Sequence, residues 1–152
     1  MATHEVVTEI TIAAPPERVW QVLVDTAAYP QWNPLVRRLR HRGPLIAGAR
    51  GLLSIELLPG RPPLLVPVRL RCVDRQRELS WTGGIPGVVV GLHYHRIVDG
   101  DARSTRLVHG ERFEGALVPL LRPIRGQLQE GYARFNAALK ARAEGCEGRS
   151  PA

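Results

Sequence analysis

Two nearby stretches place ionisable side chains two residues apart: His93 and His95 in GLHYHRIV, then His109 and Glu111 in RLVHGERFEG. Alternate residues of an extended strand share a face. In the second stretch Leu107, His109, Glu111 and Phe113 fall on one side, with Arg106, Val108, Gly110, Arg112 and Glu114 on the other. The apolar Leu107 and Phe113 mark the buried side, so a histidine and a carboxylate are buried with them, at a cost of about several kcal/mol unless they are partnered. In the first stretch Arg96 marks the outer face, which puts Tyr94 outside and His93, His95 and Ile97 inside. The turn formers of DGDA, residues 99–102, join the two stretches as a hairpin, so the His93/His95 face meets the His109/Glu111 face.

Three chemistries suit such a quartet. A carboxylate beside an imidazole in a desolvated pocket can carry protons, because burial raises the one and the other titrates near neutrality; that serves cyclisation, dehydration or enolisation. HxH beside HxE can also supply four ligands to a first-row metal, although the Glu after HxH and the second His motif of a cupin are absent. Finally, the four can satisfy one another, or hold water, in a hollow that only binds a ligand. GxSxG, a phosphate-cradling glycine loop and a Rossmann fingerprint are all absent.

The elements that must position these side chains are legible along the chain. EVVTEITI, residues 5–12, alternates with Val6, Thr8, Ile10 and Ile12 on one side and predicts a first strand. Pro15 and Pro16 open a helix at 16–26, because the first N–H groups of a helix lack partners anyway; a short turn follows at 27–32. Strands are expected near 34–41, 50–57, 65–73, 77–83, 91–98 and 104–113, separated by RGPLIAG, LPGRPP, DRQ, GIPG and DGDA. Leu117, Leu121, Ile124, Leu128, Phe135 and Leu139 form one stripe of a long helix over 118–144, with Pro119 and Pro123 making its start irregular. Residues 1–144 therefore read as a single α+β domain of order β-αα-β6-α, followed by a flexible tail at 145–152. A seven-stranded antiparallel sheet must wrap the long helix to bury its stripe, and only two phenylalanines are available to fill the space between.

The charge is +7, carried by twenty arginines and one lysine spread over most elements rather than gathered in an arm. Scattered arginines suit solvated strand faces better than a nucleic-acid interface, so nucleic acid is disfavoured as a partner; the outward set Arg69, Arg71, Arg96, Arg106 and Arg112 is the alternative surface for RNA or an acidic protein. Two cysteines, Cys72 and Cys146, make neither a disulfide framework nor a CxxC metal site. With no apolar run of membrane-spanning length and no secretion signal at the N-terminus, the sequence predicts a cytoplasmic protein without membrane insertion, monomeric or homodimeric.

The segments APPERVWQVLVDTAAYPQWNP, ELSWTGG, STRLVHGERFEGALVPLL and GYARFNAALKARAE resemble, in order and over residues 5–144, the START-related (SRPBCC) superfamily, and more narrowly its polyketide cyclase/dehydrase-like branch. The resemblance implies a helix-grip fold with a deep cavity for an apolar molecule, and no metal or other cofactor. Members include lipid carriers, receptors, cyclases and hydrolases, so enzyme and non-catalytic carrier or sensor both stay open.

Strand order locates the mouth independently: the connections near 58–64, 84–90 and 114–118 share one end and are rich in Gly, Pro and apolar residues. Glu111, His93 and Trp81 are expected toward that mouth, with His109 and His95 deeper. Glu111, His109 and His93 are the candidate proton carriers. Trp81, His95, Leu107, Phe113, Leu128, Tyr132 and Phe135 are the expected ligand contacts. Arg37 joins them because, with Leu35 and Leu39, it shares the more amphipathic face of its strand.

Overall fold

The computed structural model describes residues 2–145. Strand β1 (Thr3–Ile12) leads into helix α1 (Pro16–Val24), a 3-10 turn (Thr26–Ala28) and the short helix α2 (Tyr29–Trp32). Six strands follow: β2 (Val36–His41), β3 (Arg50–Ile55), β4 (Leu64–Asp74), β5 (Glu78–Ile85), β6 (Val89–Gly100) and β7 (Thr105–Glu114). A 3-10 segment (Val118–Ile124) then runs into the final helix α3 (Arg125–Ala143). The two prolines expected to disturb the start of that helix lie in the 3-10 segment. The ordered α-helix begins two residues after Pro123, where backbone N–H donors are again continuous. Of the expected tail, all but Gly145 lies outside the described residues.

All seven strands join one antiparallel sheet in the order β1-β7-β6-β5-β4-β3-β2. The last strand in the chain pairs with the first, so the polar hairpin β6–β7 sits beside β1. The sheet curves around α3, which buries Leu128, Tyr132, Phe135, Asn136, Leu139 and Ala143. Helix α1 buries Val19, Trp20, Val22 and Leu23, and its Arg18 reaches the carbonyls of Arg142 and Ala143. Two ends of the chain are thereby tied together at the closed side of the fold. No described helix is long and apolar enough to cross a membrane.

The outer face of the sheet carries arginines, as its alternation predicts, and several are paired locally: Arg96 with Glu78, Arg106 with Glu9 and Arg112 with Glu114. Tyr94 lies on that face yet is 3 % exposed. It crosses Gly110, where a Cβ would come within 2.6 Å of its hydroxyl, and donates to Glu5 Oε1 at 2.8 Å while the Arg96 guanidinium covers its ring.

Strand β2 departs from simple alternation. A register irregularity between Val36 and Arg38 lets Leu35, Val36 and Leu39 all be buried, and both Arg37 and Arg38 are exposed. Arg37 does not enter the interior: it bonds the Asn33 carbonyl at 3.2 Å and pairs with Glu56 at 3.6 Å. The expectation that it contacts ligand is corrected on that ground. A bulge adds a residue to one strand and resets which side faces inward.

Candidate functional site

Sheet register stacks the polar side chains in two rungs. One aligns Trp81 with His93, Glu111 and Val6; the next, deeper by two residues, aligns Leu79 with His95, His109 and Thr8. Between sheet and helix lies a cavity of about 310 Å³, near the lower end of the volumes usual for small-molecule sites. Its wall is apolar apart from the first rung and Tyr132. Trp81, His93, Glu111, Phe113, Leu128 and Tyr132 line it, together with Val66 and Val68 from β4 and Leu121 and Ile124 ahead of α3.

The second rung does not reach the cavity. His95, Leu107, His109 and Phe135 are each 1 % exposed or less and absent from its lining, so the expected ligand contacts His95, Leu107 and Phe135 and the expected proton carrier His109 all stand behind the cavity wall. They plug the inner half of the fold. His95 stacks on His109 with ring centroids 4.6 Å apart, and Phe135 packs on both at 4.9 and 4.6 Å.

Hydrogen bonds connect the plug to the cavity wall. The Thr8 hydroxyl donates to the His109 carbonyl at 2.8 Å, leaving its oxygen to accept from Asn136 Nδ2, also at 2.8 Å. Asn136 Oδ1 therefore faces His109 Nδ1, 2.8 Å away, and that nitrogen must carry the hydrogen. Burial, reinforced by the neighbouring His95 and His93, pushes the His109 pKa well below 6.5 and keeps the ring neutral. Its Nε2 is then a lone pair, and the 2.8 Å contact with His93 Nε2 requires a hydrogen on His93. His93 Nδ1 is left facing Glu111 Oε2 at 3.3 Å. Tyr132 also donates to Glu111 Oε2, its phenol held protonated by burial and by the adjacent carboxylate. With every other hydrogen committed, the His93 Nδ1–Glu111 Oε2 contact is the one place in this chain of bonds where a hydrogen on either partner would complete it. Glu111 Oε1 has no hydrogen-bond partner among the described residues, and the Glu111 side chain is 19 % exposed.

His93 is clamped for this position. Trp81 stacks on one face with the rings parallel to within 1° and centroids 5.1 Å apart, and Tyr132 meets it edge-on at 5.3 Å. Gly91 makes room for the carboxylate: a Cβ there would stand 2.1 Å from Glu111 Oε1. Thr8, Gly91 and Asn136 were missed as site residues. Their signals were Thr8 on the inward face of β1, a glycine at the inward position two before His93, and an amide beside Phe135 on an otherwise apolar helix face.

The three histidines bring ring nitrogens within 4.8 Å of one another, a spacing that invites comparison with a metal centre. A metal must lie in the plane of each ligating ring. His95 and His109 are inclined by only 19° and stacked, so their lone pairs do not converge. Glu111 and His109 meet opposite edges of His93, which keeps the HxH/HxE set from surrounding one point. Burial first, and the neighbouring His93 second, lower the His95 pKa well below 6.5 as well; Nδ1 contacts the Leu79 carbonyl at 3.3 Å, and Nε2 has no partner among the described residues.

Residues 3–144 match the family model described as polyketide cyclase / dehydrase and lipid transport, and the chain belongs to that family. No curated protein matches the sequence. Among solved structures, the Zhui aromatase/cyclase from Streptomyces sp. R1128 is similar with a TM-score of 0.76 at 19% identity, over 99% of each chain. A norcoclaurine synthase point mutant from Thalictrum flavum gives 0.72 at 13% identity, covering 97% of this chain and 98% of that one. A START superfamily protein from Mycobacterium smegmatis gives 0.71 at 21% identity, covering 94% and 99%. The likeness establishes the helix-grip fold, a curved seven-stranded sheet around a long C-terminal helix.

Proposed function

We propose that this member of the polyketide cyclase/dehydrase and lipid transport family binds an apolar, polyketide-like small molecule in the cavity and transfers protons on it, closing a ring or removing water. The observation that carries the reading is the contact between Glu111 Oε2 and His93 Nδ1 at the one polar stretch of an apolar wall, with no hydrogen bond to Glu111 Oε1 among the described residues. A pair holding one proton can act as acid toward one ligand atom and as base toward another, and the apolar surroundings strengthen both. Glu111 and His93 are the catalytic residues of this reading. His109 is a positioning residue, because it touches His93 rather than the cavity. The remaining lining shapes and shields the ligand, holding a flexible chain near its reactive geometry.

Native mass spectrometry of the purified protein tests the binding half directly by revealing co-purified small molecules and any metal. Incubating the identified ligand with wild type and with Glu111→Gln tests the chemistry. Conversion by the wild type, reduced by about 10²–10⁴-fold in the variant with binding retained, is the expected result. A ligand that is bound but unchanged by the wild type assigns the protein to the carriers instead.

A further inference from the structure

Ten large apolar side chains are markedly exposed among the described residues, and seven of them stand at one end of the sheet: Leu58, Leu64, Leu65, Ile85, Val88, Leu117 and Leu120. That is the end where the cavity opens. Leu57 from the β3–β4 connection and Leu64 and Val66 at the start of β4 line the cavity, and Val89 lines it beside the β5–β6 turn. The exit from β7 is tied to the same turn, with Leu117 N donating to the Val88 carbonyl at 3.0 Å and Ala116 N to that of Gly87 at 3.1 Å. Leu120 completes the ring beside Leu121, which lines the cavity. The other three exposed apolar residues, Val7, Ile46 and Val98, are scattered over the outer face and the opposite end.

Three exposed arginines stand beside this ring. Arg61, Arg122 and Arg125 are exposed on the same connections, and none forms an ion pair among the described residues. Glu56 and Glu114, at the ends of the strands that carry the ring, are already paired with Arg37 and Arg112. A second copy docked ring to ring would set these arginines against their own counterparts, a like-charge arrangement that disfavours the pairing. Aliphatic side chains on three separate Gly- and Pro-rich loops, edged by unpaired guanidinium groups, match the chemistry of an anionic bilayer: headgroups for the arginines and the acyl boundary for the side chains.

We propose that the mouth of the cavity docks peripherally on an anionic lipid surface, with the seven aliphatic side chains reaching the acyl boundary and Arg61, Arg122 and Arg125 engaging lipid phosphates. The sequence-based expectation of no membrane insertion is revised only to this extent: side chains enter the interface and no element spans it. Docking in this orientation lets an apolar ligand pass between bilayer and cavity without crossing water.

Flotation with vesicles tests the proposal without knowledge of the ligand, so its outcome is separable from that of the catalytic reading. Wild type is expected to float with phosphatidylcholine vesicles containing one-third phosphatidylglycerol, and far less with phosphatidylcholine alone. Replacing Arg61, Arg122 and Arg125 together by Gln is expected to weaken binding by about a hundredfold, from about 1 kcal/mol per arginine near the surface. Ile85→Glu with Leu120→Glu, at side chains 64% and 69% exposed and therefore tolerated by the fold, is expected to abolish flotation. Arg69→Gln with Arg71→Gln, on the outer face, should leave it unchanged. Absence of flotation with the anionic vesicles overturns the proposal. So does equal weakening by the outer-face pair, or a wild-type dimer in sedimentation that Leu120→Glu converts to monomer.

Discussion

Acid should destabilise this protein through two histidines that never meet solvent. His95 and His109 are both buried, and burial in the first place, with their histidine neighbours second, holds each pKa well below 6.5 in the folded chain. In the unfolded chain both return to about that ordinary value. Below pH 6.5 the unfolded state therefore binds protons that the folded state refuses, and stability, fully present above that pH, falls as pH drops. Each such histidine contributes a loss of about 1.4 kcal/mol per pH unit, so the pair gives about 2.7 kcal/mol per unit. Carboxylates with lowered pKa, such as Glu17 and Glu144, lose their contribution only as pH falls below 4.5, which leaves the interval from 4.5 to 6.5 to imidazole. His95→Leu isolates one of the two, since it replaces a ring whose Nε2 has no partner and leaves the hydrogen-bonded chain through His109 intact. Urea melts across that interval should show the variant gaining on the wild type by about 1.4 kcal/mol at one unit below 6.5 and by more as the pH falls further. Parallel pH dependences for the two proteins would refute the claim that His95 is held neutral.

Substitutions at two further positions probe the His93–Glu111 contact from either end. Gly91→Ala places a methyl group where Glu111 Oε1 now stands; the flexible carboxylate yields, so the fold should persist in thermal melts while ligand turnover falls about as far as in Glu111→Gln. Asn136→Leu strips the acceptor from His109 Nδ1 and the donor to Thr8, and should cost about 1–3 kcal/mol in denaturant melts from one unsatisfied buried group, His109 Nδ1. Nitrogen-15 spectra of its histidines should show His109 no longer confined to the Nδ1–H tautomer. Asn136→Asp, whose carboxylate still accepts from that nitrogen, should restore the tautomer, a rescue that loss of packing alone would not show.

The sheet was readable because its strands alternate cleanly and its turns are marked by Gly, Pro and Asp. The hairpin through residues 99–102 placed His93 opposite Glu111 and His95 opposite His109, as the register shows. Arg37 was misplaced because no glycine or proline announces the irregularity in β2, and parity without it forces one arginine inward. The depth of the cavity was misjudged for a different reason. Parity says which way a side chain points, but whether it meets open space depends on the volumes of neighbours brought from afar. Here Phe135 from α3 fills the space beneath His95 and His109. The partners Thr8 and Asn136 lie 128 residues apart, and only the closing of β1 onto β7 brings them together.

Depth along one strand then assigns different work to residues of similar chemistry. His109 and Glu111 share a face of β7, two residues apart, yet His109 is 0% exposed while the Glu111 side chain keeps 19% of its surface. A charge at the deeper position would face only rings and aliphatic groups, whereas at 111 it meets a phenol donor, an imidazole and the cavity opening. Neutral histidine suits the first place, because it passes hydrogen-bond direction onward from Asn136 without needing charge. Glutamate suits the second, where Tyr132 donates to it and the cavity opens beside it. The chain of bonds from Thr8 through Asn136, His109 and His93 to Glu111 thus ties the filled interior half of the fold to the orientation of the carboxylate on the cavity wall.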